Sequence, residues 1–365
     1  MQVEAAIARS PSKLTIETIE IEDPRPDEIL VKLVATGLCH TDISALEGIL
    51  PTPMPMVLGH EGAGVVIKVG AGVSKVEVGD HVVMTYTYCG NCPSCVAHDH
   101  TYCHSLLELN FGGNRRDGSS PLSKGIEKIN GLFFGQSSFA TYAMCGERNI
   151  VKVPKDVPLE ILGPLACGVQ TGAGAAVNSL KIGSGATFVV FGAGTVGLSA
   201  VMGAKVAGAA TIIAVDLSDD RLALARDVGA THTLNGKTQD VLAEIMKITG
   251  AGVEFSLDTT GNQKVMETAL ASTAPRGTCA WLAGVSPDMR VSVDPTFLLM
   301  GRKLRGIIEG DSHDATTFIN RMIDWYREGR FPFDKLIRFY PFADIETAIH
   351  DSHTGETIKP VLKFA

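Results

Sequence analysis

The chain has 365 residues, of which 45% are hydrophobic and 20% are charged. This length is sufficient for two domains, each with a buried core of its own. The formal net charge of -8 argues against nucleic acid or an anionic membrane surface as a partner, because both attract basic proteins. We therefore expect a soluble protein that acts on a small molecule.

The amino-terminal segment and the cysteines indicate a cytoplasmic protein. The first twenty residues carry charges throughout and lack the apolar core of a signal peptide. Eight cysteines in such a chain favour metal binding and reduced thiols over disulfide bonds. The uncharged run over residues 182–204 is long enough to span a membrane, but its glycine-rich turn predicts a strand, a turn and a helix instead.

The pattern of apolar residues differs between the two halves of the chain and predicts two domains. Up to about residue 150, short β-branched runs such as ILVKLVATG and DHVVMTY alternate with Gly and Pro, which predicts an irregular β-rich domain. From residue 186, apolar runs such as ATFVVF and TIIAVD alternate with helical stretches, which predicts a doubly wound parallel sheet. Residues 151–171 contain three prolines and connect the two patterns, so the domain boundary is expected there.

Four cysteines within fifteen residues predict a structural zinc site. Cys89, Cys92, Cys95 and Cys103 can supply four thiolates, which complete a tetrahedral shell and leave no position for a substrate. A nucleic-acid zinc finger is the alternative, but the segment between Cys89 and Cys103 has no Lys or Arg to bind phosphates.

Three further candidate ligands, Cys39, His60 and Cys167, stand far apart in the sequence. A catalytic zinc usually takes three protein ligands and keeps a fourth position open. Two thiolates and one imidazole leave the ion formally neutral but still able to acidify a bound hydroxyl. Each residue alone could be an ordinary buried side chain. Together they predict a second, open zinc.

The sequence GAGTVG follows the apolar run ATFVVF and predicts a dinucleotide-binding turn. Gly192, Gly194 and Gly197 would allow a tight turn, close approach to a pyrophosphate and close helix packing. The start of the following helix would attract the phosphates.

A carboxylate at the end of the next strand predicts the coenzyme. Asp216 lies nineteen residues beyond Gly197, where a carboxylate commonly accepts hydrogen bonds from the adenosine ribose, so NAD is favoured over NADP. Arg221 could soften that preference. The alternative is that Asp216 merely caps a helix that starts near Ser218.

The segments GLCHTD, GHEGAGVV, LACGVQTG and GAGTVG, together with the four-cysteine run, resemble the zinc-dependent alcohol dehydrogenases of the medium-chain dehydrogenase/reductase family. TYTYCGNC, FFGQSSFATY and GIIEGDS make the chain most similar to the aryl-alcohol (benzyl-alcohol) dehydrogenases. The resemblance implies an α/β fold with a GroES-like catalytic domain over residues 1–168, whose zinc lobe is at about 89–103. A Rossmann NAD-binding domain over 169–308 and a return segment of the catalytic domain over 309–365 would follow. It also implies a homo-oligomer, either a dimer or a tetramer.

The resemblance implies roles for individual residues. The alcohol would bind the open zinc, lose its proton through Thr41 and pass hydride to C4 of NAD. Many relatives end the proton relay with a His where this chain has Ser44, so the final proton acceptor is open. The implied zinc ligands are Cys39, His60 and Cys167, with Glu61 as an intermittent ligand and Asp42 behind His60. The implied coenzyme contacts are His40 and Lys359 at the pyrophosphate, Thr171 and Val196 at the nicotinamide, and Gly192, Gly194, Thr195, Gly197, Asp216 and Arg221.

Tyr86, Phe133 and Ile308 fall on family pocket positions, which predicts an apolar slot for an aromatic or allylic primary alcohol. They could equally be core residues. Three other functions stay open: a glutathione-linked formaldehyde dehydrogenase, which would need cationic residues for its anionic substrate, a polyol dehydrogenase, and a non-enzymatic NAD-binding relative. The last would need no catalytic zinc ligands, whereas all three are intact here.

Overall fold

The computed structural model describes residues 1–284 and 288–365. Its strands, in chain order, are β1 (Gln2–Ser10), β2 (Lys13–Ile21), β3 (Glu28–Gly37), β4 (Met56–Val57), β5 (Glu61–Val69), β6 (His81–Met84), β7 (Leu122–Lys124), β8 (Glu127–Ile129), β9 (Tyr142–Gly146), β10 (Ile150–Lys152), β11 (Thr187–Phe191), β12 (Thr211–Asp216), β13 (His232–Asn235), β14 (Val253–Asp258), β15 (Thr273–Trp281), β16 (Lys303–Gly306), β17 (Ile337–Pro341) and β18 (Lys359–Lys363).

The longest α-helix of the described residues is α10, with thirteen residues. None of the helices in this part of the chain is long and apolar enough to cross a membrane. They are α1 (His40–Leu46), α2 (Pro93–Val96), α3 (Leu106–Phe111), α4 (Gly168–Gly174), α5 (Thr195–Val206), α6 (Asp219–Val228), α7 (Val241–Thr249), α8 (Gln263–Ala271), α9 (Pro295–Leu299), α10 (Ala315–Arg327) and α11 (Ile345–Thr354).

The chain divides into two compact units. The first unit comprises residues 1–167, 313–321 and 334–365, and the second comprises residues 168–312 and 322–333. The sequence-based division placed all of residues 309–365 in the first domain, whereas the structure groups part of that segment with the second unit.

The first unit is rich in antiparallel β-structure. Among its described residues, one five-stranded sheet has the order β4-β1-β2-β7-β8, and a seven-stranded sheet has the order β10-β6-β5-β3-β18-β17 with β9 paired to β3. Most side chains of β1, including Ala6 and Ala8, are buried in the main core with Ile19 and Phe139. The short β-branched runs therefore form the irregular β-rich domain that the sequence predicted.

The second unit is a doubly wound parallel sheet. Its six strands within the described residues have the order β13-β12-β11-β14-β15-β16, and every neighbouring pair is parallel. If β11 is numbered as the first strand, this is the 3-2-1-4-5-6 order of the Rossmann fold. Strands covered by helices on both faces are apolar throughout, as in TFVVF and TIIAVD. The strand order reverses at β11, and such sheets bind a dinucleotide at the point of reversal.

Candidate active site

Strand register brings the first two candidate ligands together. β3 and β5 are antiparallel, with Gly37 opposite Glu61. Cys39 lies just beyond the end of β3, and His60 immediately precedes β5. The antiparallel pairing of these strands therefore places both ligands at the same end of the strand pair. Cys39 is also the residue before α1, where Asp42 Oδ2 accepts a hydrogen bond from the Cys39 N–H at 2.9 Å.

A buried hydrogen bond fixes the approach of the third ligand. Cys167 follows a short helical turn over Gly163–Ala166. The hydroxyl of Thr85, just after β6, donates to the Ala166 carbonyl at 2.6 Å. Because β6 pairs with β5, this bond ties the turn before Cys167 to the strands that position His60.

The donor atoms of Cys39, His60, Glu61 and Cys167 all lie within 4.8 Å of one another. Sγ of Cys39 is 4.0 Å from Sγ of Cys167, and Nε2 of His60 is 3.2 Å from Sγ of Cys167. With Zn–S bonds of about 2.3 Å, two thiolates on a tetrahedral zinc lie about 3.8 Å apart. The spacing and the mixed sulfur and nitrogen donors therefore fit a zinc ion.

A buried carboxylate orients His60. Nδ1 of His60 is 2.8 Å from Oδ1 of Asp42, which also accepts from the Gly59 N–H at 3.1 Å. Burial alone would lower the pKa of His60, but the Asp42 carboxylate and the Cys39 sulfur together raise it well above the ordinary value. The same contact makes Nδ1 the protonated nitrogen and leaves Nε2 to face the cysteines, an arrangement common to metal-binding histidines.

Glu61 has a buried cation as its partner. Nζ of Lys359 donates to both Glu61 carboxylate oxygens at 2.9 and 3.0 Å and to the Leu38 carbonyl at 3.0 Å. Burial raises the pKa of Glu61, and the Lys359 ammonium opposes that rise. Lys359 is only 2% exposed. In the structure, the Lys359 ammonium therefore forms an ion pair with the Glu61 carboxylate. The predicted contact of Lys359 with the coenzyme pyrophosphate stays a prediction.

The residues of the expected proton relay lie on α1. Oγ1 of Thr41 is 3.8 Å from Sγ of Cys39. Thr41 and Ser44 are half-buried on this helix, and His40 at its start is exposed. The relay role of Thr41 and the coenzyme role of His40 remain predictions.

The four-cysteine segment forms a separate donor cluster. The sulfur atoms of Cys89, Cys92, Cys95 and Cys103 all lie within 4.8 Å of one another. Backbone N–H groups of Asn91 and Cys92 donate to Sγ of Cys89 at 3.4 and 3.3 Å. Such bonds stabilise a thiolate at Cys89, and the four sulfurs together could hold one metal ion.

The three glycines of the GAGTVG turn differ in what surrounds them. Gly192 has a φ of +94°, and a Cβ on Gly197 would lie 1.7 Å from the Gly192 carbonyl oxygen. A Cβ on Gly194 would meet nothing within 4 Å. The outer glycines are therefore required by the turn and the helix packing, whereas Gly194 leaves open space at the start of α5. Such space beside a helix N-terminus suits a phosphate, and Thr195 and Val196 form the first turn there.

The Asp216 carboxylate is held at the end of β12. Oδ2 accepts from the Ala193 N–H at 2.7 Å, and Oδ1 accepts from Leu217 and Ser218 N–H groups at 2.7 and 2.9 Å. The cap of α6 is Ser218, whose hydroxyl accepts from the Arg221 N–H. The simple helix-cap alternative for Asp216 is therefore wrong.

The predicted pocket and nicotinamide residues are divided between the two units. Tyr86 and Phe133 are buried in the first unit, and Ile308 is 43% exposed in the second. Thr171 lies on α4 of the second unit, where its hydroxyl is 3.4 Å from a carboxylate oxygen of Glu309. The sequence analysis did not single out Glu309, although it lies inside the GIIEGDS segment.

Two models of known families match the chain. The alcohol dehydrogenase GroES-like domain matches residues 25–155, and the zinc-binding dehydrogenase model matches residues 195–325. Geraniol dehydrogenase from Castellaniella defragrans is 44% identical to the chain over 368 residues, which cover 100% of this chain and 98% of that protein. The chain belongs to the zinc-dependent medium-chain alcohol dehydrogenase family.

Solved structures agree with this assignment. The crystal structure of benzyl alcohol dehydrogenase from Acinetobacter calcoaceticus is 43% identical, covers 100% of both chains and superposes with a TM-score of 0.96. That of an alcohol dehydrogenase zinc-binding domain protein from Burkholderia ambifaria is 48% identical, covers 100% of this chain and 99% of that chain, and has a TM-score of 0.98. This zinc-dependent dehydrogenase is therefore an oxidoreductase, and the family and fold predicted from its motifs are confirmed.

Two residues of this alcohol dehydrogenase that were not singled out contact the segment that carries His60. The ring of Phe134 stacks on the His60 imidazole at a centroid distance of 4.4 Å and an interplanar angle of 24°. The side chain of Gln136 donates to the His60 carbonyl at 2.9 Å. The sequence analysis predicted a pocket residue in the FFGQSSF segment, Phe133, but no role for Phe134 or Gln136.

Proposed function

We propose that the protein oxidises a primary aromatic or allylic alcohol to the aldehyde and transfers the hydride reversibly to NAD. The observation that supports this most strongly is the convergence of Cys39, His60 and Cys167 on one point, with His60 oriented by Asp42. The relatives named geraniol dehydrogenase and benzyl alcohol dehydrogenase act, by their names, on an allylic and an aromatic alcohol.

The residues of the site would divide the chemistry among them. A zinc ion held by Cys39, His60 and Cys167 supplies a Lewis acid that lowers the pKa of the alcohol hydroxyl. Thr41 would accept the hydroxyl proton and pass it outward, and the carbon would lose its hydride to C4 of NAD. Asp42 keeps the His60 ring in the tautomer that leaves Nε2 for the metal.

We further propose two zinc ions per chain, one in the four-cysteine lobe and one in the open site. Both donor clusters are preassembled with sulfur-rich sets, which favour zinc in a reducing compartment. The protein would be cytoplasmic and form a dimer or a tetramer, which light scattering can distinguish.

We expect the protein to prefer benzyl alcohol over ethanol by about 100-fold or more in kcat/KM. An apolar slot that encloses a ring would gain about 25 cal/mol per Å² of apolar surface removed from water, and ethanol offers much less surface. The measurement is the initial rate of NAD reduction with benzyl alcohol, geraniol and ethanol. A preference for ethanol would contradict the proposed substrate class.

The same assay separates the alternatives. Formaldehyde with glutathione tests the glutathione-linked reaction, and sorbitol tests polyol oxidation. Turnover of either above that of benzyl alcohol would favour the corresponding alternative. A chain that binds NADH but oxidises none of these alcohols would fit a non-enzymatic relative.

We expect Asp216→Ala to shift the coenzyme preference from NAD toward NADP by at least about tenfold, which corresponds to about 1.4 kcal/mol. The Asp216 carboxylate would accept hydrogen bonds from the ribose of NAD and would repel the 2'-phosphate of NADP. The measurement is the ratio of kcat/KM for the two coenzymes. Asp219→Ala is the matched control, because this exposed carboxylate lies nearby at the start of α6. An equal shift in both variants, or none in Asp216→Ala, would refute the role of Asp216.

A further inference from the structure

The FFGQSSF segment, residues 133–139, runs beside the segment that carries His60. Successive groups of one segment bond successive backbone groups of the other. Ser137 Oγ donates to the Val57 carbonyl at 2.6 Å, Phe139 N–H to the Leu58 carbonyl at 2.9 Å, and Ser138 N–H to the Gly59 carbonyl at 2.9 Å.

Gln136 extends this series of bonds to the metal-ligating residues themselves. Its Nε2 donates to the carbonyl of His60 at 2.9 Å and to that of Met84 at 3.0 Å. Its Oε1 accepts from the Gly62 N–H at 3.1 Å. One side-chain amide therefore holds the backbone on both sides of Glu61 and links it to the end of β6.

The surroundings leave no substitute for these bonds. Gln136 is fully buried, so water does not reach the groups that it satisfies. A Cβ on Gly62 would lie 2.6 Å from Cε of Met84 and 3.1 Å from Oε1 of Gln136. The amide thus lies against a backbone that is already closely packed, and removing it would free the His60 carbonyl to move.

Phe134 adds a contact from the same segment to the His60 ring. Its stacked ring covers one face of the imidazole, while Phe133 meets the imidazole edge-on at 5.7 Å. Phe134 has a left-handed φ of 51°, a backbone conformation that residues other than glycine seldom adopt. Backbone and ring of His60 are therefore both held by residues 133–136.

We propose that Gln136 is a positioning residue of the open metal centre. It fixes the backbone of His60 and Glu61 so that the imidazole meets the two thiolates without rearrangement. The proposal rests on the open zinc of the proposed function, but it concerns a residue that touches neither metal nor substrate.

The test measures zinc affinity in the purified full chain by equilibrium competition with a chelator. The zinc of the open site is identified as the one that is missing from Cys167→Ala. We expect Gln136→Leu to weaken that zinc by about 10- to 100-fold, as is typical when a group that orients a ligand is lost. Gln136→Glu keeps the acceptor for Gly62 but replaces the donor to His60, and it should weaken zinc in the same sense. The Gln136→Glu variant also tests the proposal if Gln136→Leu does not fold.

Asn130→Leu is the matched control. Asn130 is also a buried amide of the first unit, and its Nδ2 donates to the carbonyls of Pro53 and Pro55 at 3.2 and 2.8 Å. It should lower thermal stability without changing zinc affinity. Unchanged affinity in both Gln136 variants, or an equal loss in Asn130→Leu, would overturn the proposal. If the wild-type chain lacked a zinc that Cys167→Ala removes, the proposed function itself would fail first.

Discussion

Replacing Cys167 with alanine is expected to remove the open zinc and to lower kcat by about 10⁴-fold. The ion supplies several kcal/mol of stabilisation to the charge that develops on the substrate oxygen, and each 1.36 kcal/mol is a factor of ten in rate. Cys167 provides one of two thiolates in the set, and its sulfur is 3.2 Å from Nε2 of His60. The zinc content should fall from two ions per chain to one.

This variant should stay folded, because the four-cysteine lobe keeps its own ligands. The measurements are zinc per chain by plasma emission, thermal unfolding and the rate of benzyl alcohol oxidation. Cys145→Ala is the control, since Cys145 is also buried, in β9, but belongs to neither donor cluster. A Cys167→Ala chain with two zinc ions or near-normal turnover would contradict the assignment.

Replacing Cys95 with serine is expected to unfold the lobe. Zinc binding commonly supplies about 10 kcal/mol or more to the folding of small zinc modules, and the lobe core consists largely of its own cysteines with a few neighbours such as Tyr88 and Leu109. The apparent Tm should fall by about 10 °C or more, since 1 kcal/mol shifts the Tm of a domain of this size by a few degrees. The chain should again keep one zinc, this time in the open site.

Limited proteolysis can locate the damage. The segment between Cys89 and Cys103 has no Lys or Arg, so trypsin has no site there. Chymotrypsin can cut at Tyr102, and we expect rapid cleavage there in Cys95→Ser only. Val96→Ala is the control, because Val96 is 69% exposed and lies next to Cys95 without sharing its ligand role. Resistance of Cys95→Ser to cleavage, with two zinc ions retained, would refute the structural assignment.

The two variants together separate the two metal sites. Each should retain one zinc, but Cys167→Ala should be folded and inactive, whereas Cys95→Ser should be locally unfolded. A zinc count alone does not distinguish these cases. Stability and activity measured on the same samples do.

Local patterns explain what could be predicted from the sequence. The spacing of Cys89, Cys92, Cys95 and Cys103 implies a closed site because a short loop can bring all four sulfurs together. The glycines of GAGTVG and the position of Asp216 likewise predict a dinucleotide-binding turn, because that turn is built from neighbouring residues of one strand, one turn and one helix. The Rossmann strand order agrees with this prediction.

Contacts between distant segments explain what could not be predicted. Lys359 pairs with Glu61 across 298 residues of sequence, and Gln136 reaches the His60 carbonyl across 76. A buried lysine and a buried glutamine carry no local pattern that reveals their partners. The resemblance supplied a coenzyme role for Lys359, which stays a prediction, but it gave no sign that Lys359 also pairs with Glu61.

The central claim is that the scattered residues Cys39, His60 and Cys167 hold an open metal ion that binds the alcohol. The most direct test is the visible spectrum of protein with cobalt in the open site, titrated with benzyl alcohol in the presence of NAD. We expect the cobalt bands to shift in a saturable way, because the alcohol enters the open position on the metal. A spectrum that stays unchanged while the alcohol is oxidised would contradict the claim.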